Sequence, residues 1–251
     1  MNYIDLFAGA GGLSEGFTKA GFNPIAHVES DKAACFTLMT RLAYYYLSSK
    51  NQLDIYNSYL KGEISRDYLY GLLPESISKS VINKYISSDN NIDIFAQIDK
   101  LLGENEVDLI IGGPPCQDFS IAGYRNMGER ANLTIRYAEI VSQIKPKWFV
   151  MENVYNIERM PVLPKATKIF KDAGYGLTTR ILNASYCGVP QARMRFFMVG
   201  HLGDEDNFLG ELLDGRQTEK PMTVYDYLGD SLHTEYYYMH PRSYNRRAVF
   251  S

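Results

Sequence analysis

Cys116 stands in the run GGPPCQDFS, residues 112–120, and is the side chain best placed for covalent chemistry. A thiol attacks only as the thiolate, and its ordinary pKa of ~8.5 leaves a modest reactive fraction near neutral pH. A lone cysteine is usually a small buried hydrophobe. Here Pro114 and Pro115 fix the backbone before it, and polar Gln117 and Asp118 follow. That context favours a presented thiol with few conformations to lose. A second cluster is DLFAGAGG, residues 5–12. Glycines directly after a strand allow a tight turn and close backbone approach to a ligand, although a bare strand-to-helix turn needs them too. Glu29 follows Gly9 by 20 residues, the spacing at which a carboxylate accepts hydrogen bonds from ribose hydroxyls. A nucleoside-containing cofactor is expected. The dinucleotide fingerprint is not met, because Ser14 takes its third glycine place, and this disfavours nicotinamide. Glu152, in MENV (residues 151–154), comes close to Cys116 if their strands are neighbours. By itself such an acid is as well explained by a helix N-terminus. Arg193 and Arg195, in VPQARMR (residues 189–195), share a face if the segment is extended, although an exposed pair is ordinary.

These groups need a frame that gathers strand ends. Residues 3–7, 24–29, 107–111, 148–151 and 195–200 read as strands, and residues 13–20, 31–42, 137–144 and 165–173 as helices. The continuous apolar run at 107–111 suits a strand buried on both faces. Residues 41–88 hold eight Tyr among good helix formers without period-two alternation, and read as a helical insertion. Alternation of strands and helices implies an α/β fold with a doubly wound, mostly parallel sheet. Ligands in such sheets bind beyond the carboxyl ends of the strands, where every motif above falls.

Bulk properties narrow the class. The 251 residues are 45% hydrophobic and 22% charged, ordinary for a globular protein of one sizeable domain and a little more. No apolar run approaches the ~20 residues of a membrane span, and MNYIDLF lacks a secretory n-region. Cys35, Cys116 and Cys187 are too few and scattered for a disulfide framework or metal cluster, so a reducing, cytoplasmic setting is expected. The net charge of -3 argues mildly against nucleic acid, but phosphate contact depends on local charge. The last 21 residues carry three Arg, one Glu and four Tyr, equally readable as a solvated tail.

Taken in order, FAGAGG, Glu29, GGPPCQ, MENV and QARMR resemble the cytosine-5 DNA methyltransferase family, from about Asp5 to Tyr227. The resemblance implies the Rossmann-like sheet of S-adenosylmethionine-dependent methyltransferases, with S-adenosylmethionine as methyl donor and no metal. Phe7, Gly9, Gly11 and Gly12 would form the cofactor loop, Glu29 would hold the ribose, and Pro115 and Leu133 would line the pocket. Asp93, or alternatively Asp99, would meet the adenine amino group, although Ile-Asp-Ile stands where Gly-Asp-Ile is usual. Cys116 would attack carbon 6 of a flipped-out cytosine, Glu152 would serve ring nitrogen 3, and Arg193 would hold and polarise the base. Asn153, Gln191 and Arg195 look like loop support. Cys187 replaces a usual aromatic residue without removing a catalytic group.

Double-stranded DNA is the implied partner, in a restriction-modification or related role. By this resemblance residues 1–215 form the catalytic domain and residues 216–251 begin a target-recognition region. The family's further recognition residues and closing Gly-Asn motif are absent here, which leaves a split enzyme with a second polypeptide, a truncated product or a fragment. An RNA (tRNA) cytosine-5 methyltransferase and an inactive binding module are the competing expectations. Retention of Cys116 and Glu152 weighs against the second.

Overall fold

The computed structural model describes residues 1–87, 89–115 and 133–229. Cys116, Gln117 and Asp118 lie outside the described residues, as does the basic, tyrosine-bearing stretch 231–251. The chain runs β1 (Asn2–Leu6), α1 (Gly12–Lys19), β2 (Asn23–Glu29), α2 (Lys32–Ser49), α3 (Leu53–Leu60), α4 (Arg66–Gly71), α5 (Glu75–Ser78) and β3 (Val81–Asn83). It continues with α6 (Asn91–Leu102), β4 (Leu109–Gly112), α7 (Leu133–Ile144), β5 (Trp148–Val154), α8 (Val162–Asp172), β6 (Tyr175–Asn183), β7 (Met194–Leu202), α9 (Gly210–Gly215) and α10 (Val224–Leu228).

The described strands form one seven-stranded sheet in the order β3-β2-β1-β4-β5-β7-β6. β1 to β5 are parallel, and β7 is antiparallel to both β5 and β6. The doubly wound, mostly parallel α/β expectation is met. Strand order reverses between β1 and β4, which opens a crevice at their carboxyl ends.

Period two decides which side chains meet. Ile4, Leu6, Ile110, Phe149, Met151, Phe196 and Met198 enter the large core, which also takes Tyr137 of α7 and Phe170 of α8. Tyr3, Leu109 and Ile111 point the other way, to Leu13 and Phe17 of α1, with Trp148 and Val150 beside them. The same parity carries Asp5 and Glu152 to the α1 side. Residues 41–87 hold the end of α2, then α3, α4 and α5, and then Val81–Asn83, which pair with β2 as a short edge strand. Three residues are too few to display alternation. This segment has its own small core of Ala43, Leu47, Leu69 and Leu73. Among the described residues no helix is long and apolar enough to cross a membrane.

Candidate active site

The glycine turn after β1 is shaped by backbone that few side chains tolerate. Phe7, Gly9 and Gly11 have φ of 58°, 53° and 81°. Gly11 caps α1, and a Cβ there would lie 2.7 Å from Leu38 Cδ2 of α2. The turn is tied to β2 through Glu29, whose Oε2 accepts from the Gly9 amide at 2.8 Å. Glu29 Oε1 accepts from the Asp31 amide at 2.7 Å. A carboxylate has about four acceptor positions, so Glu29, which braces two backbone amides and also accepts from Ser30 Oγ at 3.3 Å, keeps about one to spare.

A cleft of about 500 Å³ opens beside this carboxylate, within the range of small-ligand sites. Phe7, Glu29, Asp31, Lys84, Pro115 and Leu133 are in its wall. Asp93 is not. It lies exposed in the first turn of α6 and pairs with Lys84 Nζ at 2.5 Å, which lowers its pKa. Asp99, further along α6, is also exposed. Lys84 thus stands in the wall where the sequence suggests an acid.

A second cleft of about 600 Å³ adjoins the first across Phe7 and Gly113. Asp5, Gly12, Glu152, Arg193, Arg195 and Phe197 contribute to it. Because β7 runs antiparallel to β5, its first residues lie against the last of β5, with Val154 opposite Arg195 and Glu152 opposite Phe197. Arg195 therefore sits diagonally across from Glu152, and its Nε lies 3.1 Å from Glu152 Oε1. Arg193 shares the cleft but is exposed, with its amide donating to Asn183 Oδ1 at 3.0 Å. Gln191 is exposed on the preceding turn and lines neither cleft.

β4 leads into this site through Gly112 and Gly113. A Cβ on Gly112 would come within 2.5 Å of Leu6 O and 2.7 Å of the Tyr137 ring, so only glycine lets the neighbouring strand and α7 close in. Asn153 points to the opposite face from Glu152, is buried, and donates from Nδ2 to Pro114 O at 2.9 Å. This bond fixes the Pro114-Pro115 turn to β5.

One participant escapes the sequence reading. Asp5 is 1% exposed, and neither of its carboxylate oxygens has a hydrogen-bond partner among the described residues. Burial first, and then the charge of Glu29, push its pKa well up. A charged residue inside the apolar run YIDLF is the available signal. An orphaned carboxylate in a cleft wall calls for a cationic ligand or a proton. On the α1 side, His27 of β2 donates or accepts at Ser14 Oγ, 2.9 Å away, and burial lowers its pKa to about 4.

Known proteins resemble this chain in sequence and in fold. The model of the C-5 cytosine-specific DNA methylase family matches residues 1–74 and 75–249. The chain is 44% identical over 252 residues to the Type II methyltransferase M.HindV of Haemophilus influenzae, covering all of this chain and 69% of that protein. It is 38% identical over 255 residues to Type II methyltransferase M.HgiDI of Herpetosiphon aurantiacus, covering 100% of this chain and 68% of the relative. The solved S. pombe Dnmt2 methyltransferase shares the fold, with a TM-score of 0.59 at 15% identity over 88% of this chain and 57% of that one. Two adjoining clefts at the strand-order reversal, a braced glycine turn and the Glu152–Arg195 pair are thus carried on a sequence that belongs to the C-5 cytosine-specific DNA methylase family.

Proposed function

We propose that this chain transfers a methyl group from S-adenosylmethionine to carbon 5 of a flipped-out cytosine in double-stranded DNA. The observation that carries the reading is the Glu152–Arg195 pair, on a cleft wall shared with Gly113 at the exit of β4. Asn153 holds the Pro114 carbonyl, and Cys116 is two residues further along the sequence.

The cofactor fits the residues present. Glu29 retains acceptor capacity for ribose hydroxyls, and Phe7, Pro115 and Leu133 supply the apolar wall. Asp5 supplies a carboxylate, unpartnered among the described residues, for the positive charge of the cofactor's methionine end. Bound there, S-adenosylmethionine supplies an electrophilic methyl group.

Carbon 5 of cytosine is too weak a nucleophile to take a methyl directly. The Cys116 thiolate adds to carbon 6, forming the S–C6 bond and moving the C5=C6 electron pair into the ring. Glu152 hydrogen-bonds ring nitrogen 3 and relays a proton to it as negative charge develops there. Arg195 holds the Glu152 carboxyl in place, and Arg193, free to reach into the cleft, donates to the base. Once carbon 5 is methylated, its proton is lost to a base. The electron pair restores C5=C6, the S–C6 bond breaks, and ring nitrogen 3 returns its proton to Glu152. A base stacked in a duplex cannot reach such a cleft, so it must be flipped out. Residues 1–215 hold this machinery, with the insertion at 41–88, and residues 216–251 begin the target-recognition region. A restriction-modification role accords with the names of the Type II relatives.

The test is transfer of labelled methyl from S-adenosylmethionine to duplex DNA and, separately, to RNA. Label in duplex DNA at carbon 5 of cytosine supports the proposal, and label confined to RNA overturns it.

A further inference from the structure

A third cavity, of about 390 Å³, is walled by α2, α3 and α4 with Glu15 of α1, and shares no wall residue with the two clefts above. Its composition is unusual. Tyr44, Tyr45, Tyr56, Tyr59 and Tyr70 line it with two guanidinium groups, Arg41 and Arg66. The Tyr44 ring lies 5.3 Å from that of Tyr56 and 5.6 Å from that of Tyr45, and Tyr44 remains 40% exposed.

The two arginines differ. Arg41 is committed to Glu15, which also pairs with Lys19. Arg66 stacks its guanidinium 3.7 Å over the Phe36 ring and pairs with no carboxylate among the described residues. Its planar donor fork is held in place by the stacking and left open for an anion. The segment after Arg41 has its own core of Ala43, Leu47, Leu69 and Leu73, against which Tyr56, Tyr59 and Tyr70 pack, whereas Tyr44 and Phe36 do not belong to it. Tyr44 and the Arg66–Phe36 stack are therefore not needed to bury it.

We propose that this cavity is a second ligand site, taking an aromatic anion of mononucleotide size. Tyrosine faces accept a base by stacking, with little regard to which base it is. A guanidinium beside them takes the phosphate through charge-assisted, often bidentate hydrogen bonds. The volume suits one such ligand. The site does not rest on the methyl-transfer reading, because it uses none of the same residues.

The probe is thymidine 5′-monophosphate, chosen because it is neither the adenosine portion of the cofactor nor the target base. Calorimetry on the full chain is expected to give a dissociation constant of roughly 10–500 μM, with thymidine and inorganic phosphate each weaker by about tenfold or more. Arg66→Ala and Tyr44→Ala should each weaken the nucleotide by about tenfold. Arg66→Ala should leave S-adenosylmethionine affinity and the thermal midpoint unchanged, which separates loss of the site from loss of the fold. Absence of binding at ~10 mM nucleotide, far above the affinities of specific sites, overturns the proposal. Displacement of the nucleotide by S-adenosylmethionine, or binding indifferent to both substitutions, overturns it as well.

Discussion

Replacing Asp5 with Asn should strengthen the free protein and weaken its hold on the cofactor. Asp5 is 1% exposed and unpartnered among the described residues, and its pKa is pushed well up by burial and then by Glu29. A carboxyl whose folded pKa is raised contributes stability that is complete below the unfolded value of ~3.8 and is lost as pH rises through the folded value. Near pH 8 the native protein therefore carries a cost that Asn, of the same size and without charge, does not. The unpaired Asn amide also costs about 1–3 kcal/mol, but an unpaired charge costs more, by an excess of similar size. The Asp5→Asn protein should then melt higher by roughly 2–10 °C at pH 8, a difference that shrinks towards pH 4. In the opposite sense, loss of a buried charge contact of about 1.5–3 kcal/mol should weaken S-adenosylmethionine by roughly 10- to 100-fold. Differential scanning calorimetry across pH and titration calorimetry with the cofactor read the two effects on one preparation. An Asp5→Asn protein that is less stable at pH 8, or that binds the cofactor as tightly as the native chain, would refute the reasoning.

Gly112→Ala forces a methyl group to within 2.5 Å of the Leu6 carbonyl, and should cost about 1–3 kcal/mol in urea unfolding by overpacking backbone that cannot yield. His27 has its pKa lowered from 6.5 to about 4, so its contribution is complete above pH 6.5 and is lost as pH falls through 4. Between pH 7 and 4.5 the native protein should lose roughly 2–3 kcal/mol that His27→Gln does not lose, as urea melts at the two pH values would measure. Glu152→Gln retains the contour of the cleft but cannot deliver a proton. It should reduce single-turnover methyl transfer by about 10²- to 10⁴-fold with cofactor affinity unchanged.

Much of the frame is legible because it is written in strongly periodic or strongly punctuated segments. The all-apolar run before Gly112, the glycines after Leu6 and the strand WFVM each declare themselves without tertiary context. β6 does not. Its residues YGLTTRILN change from fully buried to half-exposed along their length, so no single face repeats, and β7 supplies the pairing that makes them a strand. β3 is too short to show a period and exists because β2 offers it an edge. Motif order points to Glu152, Arg193 and Arg195 together. Which arginine meets Glu152 is a matter of antiparallel register, which fixes a diagonal neighbour at Arg195 and which the sequence does not print. Separation from Cys116 along the chain points to Asp93, whereas the cleft wall is set by the turn after β3, which presents Lys84. Asp5 escapes notice because a charge inside a buried strand reads as an interruption until its cleft is visible.

The central claim is covalent attack by Cys116 on cytosine, and a trapped adduct tests it most directly. Incubated with S-adenosylmethionine and a duplex carrying 5-fluorocytosine at its recognition site, the chain should form a denaturation-resistant complex. Carbon 5 then holds fluorine where a departing proton is needed, so the S–C6 bond cannot break. Peptide mapping should place the base on Cys116, and Cys116→Ser should abolish the complex. An adduct at another residue, or equal trapping by the Cys116→Ser protein, would contradict the account.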